Sequence, residues 1–434
     1  MSDMMMSRIK DYCNVEKGKI GIKKAVLGKY PLVTTAAERL THNEYHFDKP
    51  AVIIPVVSST GHGHASLKRI HYQEGKFAVG SILCAVTPKD ENILSANYLY
   101  HFLDVYKEKL LVSRMKGMAN VTLPLTEIAN VEFPLLSIEK QREWVALFEQ
   151  TSQYSGRITS EISKQQSLLQ SLRQSILQDA ISGKLTAKWR KANPTVETAR
   201  ALLVKIQTEK ERLIEKNKIK KYKPYSALQE SEIPFELPRS WVWCRLDELS
   251  VKITDGTHHS PTNTQYGDYQ YITAKNIKDN GIDRSKITYV SERIHKEIYK
   301  RCNPERGDIL FIKDGATTGV VTANQLDEQF SMLSSVALIK LPKLLNNWYV
   351  IYAMRSPYYY EATRKDMYGV AITRVTLNKI KKSFIPLPPK KELDAIVSQV
   401  NNLLATCDKL EKKISKSQLD SSLLLQAVLK ESFQ

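Results

Sequence analysis

Three polar loops carry the side chains best suited to meet a charged or hydrogen-bonding ligand. The first, Ser58-Ser59-Thr60-Gly61-His62-Gly63-His64, leads into Lys68 and Arg69. Gly61 and Gly63 permit close backbone approach, while Thr60, His62, His64, Lys68 and Arg69 supply donors. His62 and His64 could also ligate a metal, but no third His or Cys stands at a supporting spacing, so no metal site is expected. The second loop, Asp255-Gly256-Thr257-His258-His259, precedes the β-rich run Tyr269-Gln270-Tyr271-Ile272-Thr273. The third, Lys313-Asp314-Gly315-Ala316-Thr317-Thr318-Gly319, has a phosphate cradle's glycines without the Gly-Lys-Ser/Thr ending that positions a nucleotide. Lys313, Thr317 and Thr318 are therefore candidate contacts of another kind, and Arg114, Lys116, Arg364, Lys365 and Arg374 join them as candidate phosphate contacts. For every one of these groups, a solvated turn or an unpartnered surface charge is the alternative.

Charge favours contact over plain solvation. The 434 residues include 64 Lys plus Arg against 46 Asp plus Glu, a net of +18. Such an excess points to a polyanionic partner, because each phosphate neutralised releases condensed counterions. The expected partner is nucleic acid, with a basic solvated surface or a ribosome- or membrane-binding arm as alternatives. Five scattered cysteines, none in a C-x-x-C pair, fit a reducing cytoplasm. There is no apolar signal region and no run of about eighteen apolar residues that would suggest a membrane span.

Catalytic motifs are missing. The sequence has no Asn/Asp-Pro-Pro-aromatic run, no Gly-rich strand-to-helix loop for S-adenosylmethionine, no Walker A sequence and no G-x-S-x-G elbow. A nuclease's Asp…Glu-x-Lys pattern is too loose to exclude. A divergent methyltransferase or nuclease acting alone thus stays open as an alternative, as does a coiled-coil adaptor.

The elements that must hold these loops come in duplicate. Leu125-Thr126-Glu127-Ile128 followed by Phe133-Pro134-Leu135 answers to Leu377-Asn378-Lys379-Ile380 followed by Ile385-Pro386-Leu387. The same offset of 252, the interval from Leu125 to Leu377, pairs Met115 with Met367, Gly117 with Gly369 and Ala119 with Ala371. It continues through Ile162-Ser163-Lys164 with Ile414-Ser415-Lys416 and Leu172 with Leu424. One register held this long marks two copies of one unit.

Each copy ends in a long helix. Apolar positions in the first include Ile158, Ile162, Leu169, Leu172 and Ile176; those in the second include Leu403, Leu410, Ile414, Leu424 and Val428. Steps of four and three alternate, as in the seam of a coiled coil, with two amphipathic helices packed on separate globular cores as the alternative. Gly183 is placed to cap the first helix. Ahead of each helix, short β-rich runs such as Ala51-Val52-Ile53-Ile54-Pro55-Val56-Val57, Ser81-Ile82-Leu83-Cys84-Ala85-Val86 and Gly307-Asp308-Ile309-Leu310-Phe311-Ile312 predict mixed α/β domains. The expected division is 1–135 and 234–388 for these domains and 136–183 and 389–434 for the helices. A basic connector at 184–233 is expected to be helical over about 197–216.

The repeated Leu-x-x-Ile…Phe/Ile-Pro-Leu passages resemble the two repeated regions of type I restriction-modification specificity subunits. So do Gly183-Lys184-Leu185-Thr186-Ala187-Lys188-Trp189-Arg190, Lys218-Ile219-Lys220-Lys221, and Pro234-Phe235-Glu236-Leu237-Pro238-Arg239-Ser240-Trp241-Val242-Trp243. Gly307-Asp308-Ile309-Leu310-Phe311 with Asp314-Gly315 resembles the strand and loop of their target recognition domains. No Pro-x-x-Trp passage like that at 238–241 precedes the first domain, which begins near Ile9-Lys10-Asp11.

The resemblance implies an α+β chain of two α/β recognition domains, separated and joined by two long helices in an antiparallel coiled coil with a pseudo-twofold repeat. Each domain would read half of a split double-stranded DNA target in the major groove. The helices would dock two methyltransferase subunits carrying S-adenosylmethionine, with no cofactor on this chain, and motor-endonuclease subunits would join afterwards. At roughly 3.3 Å per residue, the connector could also span back for a parallel pairing, so the sequence leaves the helix direction open. Domains seated on one face of DNA would place half-site centres about one turn, roughly 34 Å, apart.

Overall fold

The computed structural model describes residues 5–60, 63–118, 120–194, 196–219, 221, 225–226, 228–365 and 374–431. The chain divides into two compact units, residues 1–163 with 415–434, and residues 164–414. The repeat predicted from sequence reappears as topology. In the first unit a four-stranded antiparallel sheet runs Cys13–Lys17, Leu83–Pro88, Ala51–Pro55, His71–Gln73. In the second, Lys252–Asp255, Val336–Lys340, Ile309–Ile312 and Val321–Ala323 follow the same order: first strand, fourth, second, third. Each unit adds a three-stranded sheet containing one parallel pair, Tyr30–Val33 with Ala78–Val79 and Tyr269–Ile272 with Phe330–Met332.

The apolar runs explain the central strands. Ala51, Val52, Ile53 and Ile54 are all fully buried, as are Ile309, Leu310, Phe311 and Ile312. A continuous apolar strand suits a position covered on both faces, and each such side chain contributes about 1.5–3 kcal/mol on burial. The first domain opens with its own strand: Met5–Arg8 pairs antiparallel with Glu132–Leu135, Ser7 opposite Phe133. Val242–Arg245 pairs with Phe384–Leu387 in the same way. The missing Pro-x-x-Trp passage therefore does not remove the strand.

From the second member of each pair the chain enters a long helix, α1 at Ile138–Ile181 and, beyond the connector helix α2 at Ala199–Glu215, α3 at Lys390–Glu431. α2 is capped by Thr198 and buries Ala199, Leu202, Ile206 and Lys210. Gly183 ends α1 with φ +75, and a Cβ there would stand 2.6 Å from Pro238 Cγ, so glycine is required.

Within the second unit the helix direction is resolved. Arg173 Nη2 on α1 meets Asp408 Oδ1 at 2.6 Å and Glu411 Oε2 at 3.0 Å on α3. Thr186, further along the chain, meets Glu392 at the start of α3. Rising numbers on one side pair with falling numbers on the other, so the stretches run antiparallel. The seam is narrower than the alternating pattern predicts. Ile162, Leu169, Ile176 and Cys407 are buried, and Ile414 is half-buried against the same core as Leu169 and Ile176. The other predicted positions, Ile158, Leu172, Leu403, Leu410 and Leu424, are 39–65% exposed and lie outside this buried seam. Leu177, Ala180 and Ile181 join the domain core, so the end of α1 packs on a globular surface as well as on a helix. Val428 lies in α3, but its side chain is outside the described residues.

The connector motifs converge on one buried carboxylate. Glu392 is 1% exposed and accepts from Thr186 Oγ1 at 2.8 Å, Trp241 Nε1 at 2.9 Å and the Arg190 guanidinium. Thr186 and Arg190 come from the Gly183-to-Arg190 passage and Trp241 from the passage before the second domain. Their spacing thus serves assembly of the connector. All five cysteines are buried and free, and burial pushes the Cys13, Cys84 and Cys302 thiols up to about 12. No described helix is long and apolar enough to cross a membrane.

Candidate nucleic-acid interface

In the second domain the separate loops of the sequence become one cluster around Asp255. This carboxylate, 1% exposed, ends the strand Lys252–Asp255. Its Oδ1 accepts from Arg301 and lies 3.4 Å from His258 Nε2, while Oδ2 lies 3.6 Å from Lys313 Nζ. Lys313 Nζ also donates to Asp314 Oδ2 at 2.7 Å, and Arg374 Nε stands 3.2 Å from Asp314 Oδ1. Backbone pairing reinforces the link, with Val375 N–H donating to Lys313 O at 2.7 Å. Three cations thus surround two carboxylates, the pairing that makes buried charge tolerable.

The cluster sorts the expected contacts. His258, His259, Thr317, Lys365 and Arg374 are exposed. Arg364 is half-buried, its Nη1 donating to Thr318 O at 2.9 Å and its guanidinium 4.9 Å from the Tyr360 ring centroid. Lys313 and Thr318 are corrected as ligand contacts, since they are 2% and 1% exposed. Lys313 spends its charge on Asp255 and Asp314, and Thr318 Oγ1 donates to Gly315 O at 2.6 Å. Both shape the loop. Arg301 is absent from the sequence expectations: it ends the helix Glu292–Arg301, 46 residues from Asp255, and no local pattern marks that pairing.

The first domain builds its cluster from hydroxyls and backbone. Ser58 Oγ donates to His64 O at 2.6 Å, Thr60 Oγ1 to the same oxygen at 3.3 Å, and Ser59 N–H to Ser66 O at 2.9 Å. Ser58 N–H also donates to Val121 O at 2.9 Å, tying this loop to a hairpin in which Lys116 and Thr122 exchange backbone bonds of 2.7 and 2.8 Å. The approach is close: a Cβ on Gly63, at φ +80, would stand 2.5 Å from Met118 O. Thr60, His64 and Lys68 are exposed, and Arg69 is half-buried. Gly61 and His62 lie outside the described residues.

Arg114 and Lys116 meet on Glu127, at 3.5 and 2.5 Å. The Lys116 ammonium, then Arg114, holds that carboxyl below its ordinary range. Behind the loops His71 is buried beside Arg39, whose Nη1 is 3.1 Å from His71 Nδ1. Burial first, then the charges of Arg39 and Arg69, lowers His71 to about 4. Among the described residues, no group of three or more His, Cys, Asp and Glu is arranged to hold a metal.

Two copies of one α/β domain, each presenting a polar loop cluster on a strongly basic chain, define a protein with paired recognition modules. Residues 1–165 and 238–418 match the type I restriction modification DNA specificity domain, and the chain belongs to that family. It is 26% identical over 238 residues to the type I restriction enzyme EcoAI specificity subunit of Escherichia coli, covering 54% of this chain and 39% of that one. Against the EcoEI specificity subunit of the same organism it is 27% identical over 268 residues, covering 56% and 40%. The matches thus span about two fifths of those relatives' length. In fold it resembles a chain solved in work on complex assembly and conformational transition of the type I R-M system, with TM-score 0.60, 16% identity and coverage of 99% and 97%. The HsdS subunit of Thermoanaerobacter tengcongensis is also similar, with TM-score 0.53, 15% identity and coverage of 99% and 96%.

Proposed function

We propose that this chain is the DNA-reading subunit of a type I restriction-modification complex and performs no chemistry itself. Each recognition domain reads one half of a bipartite, asymmetric double-stranded target. The observation that carries this reading is the repeated fold with unlike loop clusters. His258, His259, Thr317 and Arg374 offer one set of donors, and Thr60, His64 and Lys68 offer another. Donors of different type and placement select different base edges.

The leucines left exposed on the long helices, Leu172, Leu403, Leu410 and Leu424, support a docking role for two methyltransferase subunits. S-adenosylmethionine would bind to those partners and not to this chain, motor-endonuclease subunits would complete the complex, and the whole would work in the cytoplasm. The test is a methylation assay. The chain alone should transfer no methyl group and cut no DNA with a divalent metal present. With its methyltransferase subunit it should direct methylation to one split sequence. Methyl transfer or cleavage by the isolated chain would instead support a divergent enzyme.

A further inference from the structure

The second unit contains a broad cleft of about 970 Å³ beside the Asp255 cluster, lined by eight cationic side chains and one carboxylate, Asp247. It forms where the end of the connector meets the recognition domain. Four of its cations are already engaged. Lys210 Nζ donates to Asp247 O at 2.6 Å, and Lys252 Nζ to Asn303 Oδ1 at 2.7 Å. Arg301 is held by Asp255, and Lys381 Nζ lies 3.9 Å from Asp247 Oδ1. Lys218, Lys221, Lys300 and Lys382 are exposed, and no carboxylate among the described residues is recorded against them. Four ammonium groups gathered with no ion pair of their own among the described residues raise the local potential and favour an extended anion.

Two features choose the anion. Protein interfaces are depleted in Lys and carry an apolar or aromatic centre, whereas Lys is the commonest residue of this lining and its apolar and aromatic members are Ile219, Val251, Ile253 and Tyr225, the last with its hydroxyl on Asp247. The cleft is also continuous with the loop cluster: Thr254 lines it, the next residue is Asp255, and Arg301 belongs to both.

We infer that the cleft seats a stretch of DNA sugar-phosphate backbone beside the half-site met by the second domain, so that the connector is a phosphate clamp as well as a link. This rests on the DNA-reading function proposed above. Lys218 and Lys221 come from the connector, Lys300 and Lys382 from the domain. Phosphate contacts carry no base information, so they add affinity and register without altering the sequence read.

The test replaces Lys218, Lys221, Lys300 and Lys382 with Gln in the full chain assembled with its methyltransferase subunit. Binding to a duplex bearing the target is measured across a salt series. Each lost phosphate contact should flatten the log–log salt slope by about 0.9, or about 3.6 for all four, while the preference for target over scrambled duplex stays the same. Lys-to-Arg replacements at the same positions should restore the slope. If the quadruple variant does not fold, Lys300→Gln and Lys382→Gln singly should each remove about 0.9. An unchanged slope in folded variants would overturn the clamp while leaving the DNA-reading function intact. Absence of salt-dependent target binding by the unaltered complex would instead defeat that function. Loss of assembly with the methyltransferase subunit at unchanged DNA slope would reassign the cleft to a protein partner.

Discussion

The two recognition domains share a scaffold and differ in how they stiffen it. In each, a buried tyrosine hydroxyl donates to the proline carbonyl of the strand before the long helix, Tyr98 to Pro134 and Tyr349 to Pro386. In each, a buried polar residue stands near the start of that helix. In the first domain it is Gln141, whose Oε1 accepts from Ser95 N–H and whose Nε2 donates to Ile93 O and Leu136 O, all at 2.8 Å. In the second it is Glu392, satisfied by Thr186, Trp241 and Arg190. The loops follow suit: hydroxyls and backbone in the first, paired buried charges around Asp255 in the second. An amide can be satisfied by nearby backbone, while a buried carboxylate needs cations or several donors brought from elsewhere. The second domain has those donors because the connector passes beside it.

That contrast can be broken at its strongest point first, the helix-start residues: Glu392→Ala should cost about 3–5 kcal/mol and Gln141→Ala about 1–2 kcal/mol. Equal costs would mean that the charge adds nothing to the hydrogen bonds. Asp255→Ala leaves buried Lys313 with Asp314 as its one remaining carboxylate, so unfolding of the second unit should become easier by about 1–3 kcal/mol in urea titrations. Glu127→Gln in the first domain, where the partner Lys116 is largely exposed, should leave the transition unmoved.

Recognition should separate by domain as well. His258→Ala with His259→Ala should lower discrimination in one half-site by about 5- to 150-fold, as read by competition binding, and leave the other half unaffected. Thr60→Ala with His64→Ala should do the converse. The smallest effect concerns acid. His46, His71 and His101 of the first domain are all lowered by burial, His71 to about 4, against the ordinary 6.5. Between those values the unfolded chain binds more protons, so the stabilisation present above pH 6.5 is lost as pH falls toward 4. Thermal melts across that window should show the decline, and His71→Gln should shallow it.

Much of the fold was legible because it rests on local pattern. The repeat offset, the apolar central strands, the long helices, α2 and the Gly183 cap all leave periodic or conformational marks on neighbouring residues. Helix direction was not legible, because it depends on Arg173 meeting Asp408 and Glu411. The narrower seam escaped for a similar reason: an a/d pattern does not say whether a neighbour is a helix or a domain core. Among the candidate contacts, the polar loops were visible from composition. Which side chains face outward was not, and Lys313 shows why. A lysine in a Gly-rich loop reads as a donor for a ligand until Asp255, 58 positions earlier, is found against it.

The central claim is that two independent readers share one scaffold. Its most direct test maps methylated positions on DNA incubated with this chain and the methyltransferase subunit proposed as its partner, before and after residues 234–388 are replaced by a relative's domain. The original chain should mark one bipartite, asymmetric sequence whose halves lie a fixed distance apart. The replacement should change one half and keep both the other half and the spacing. A palindromic, uninterrupted target, or a replacement that rewrote both halves, would contradict the account.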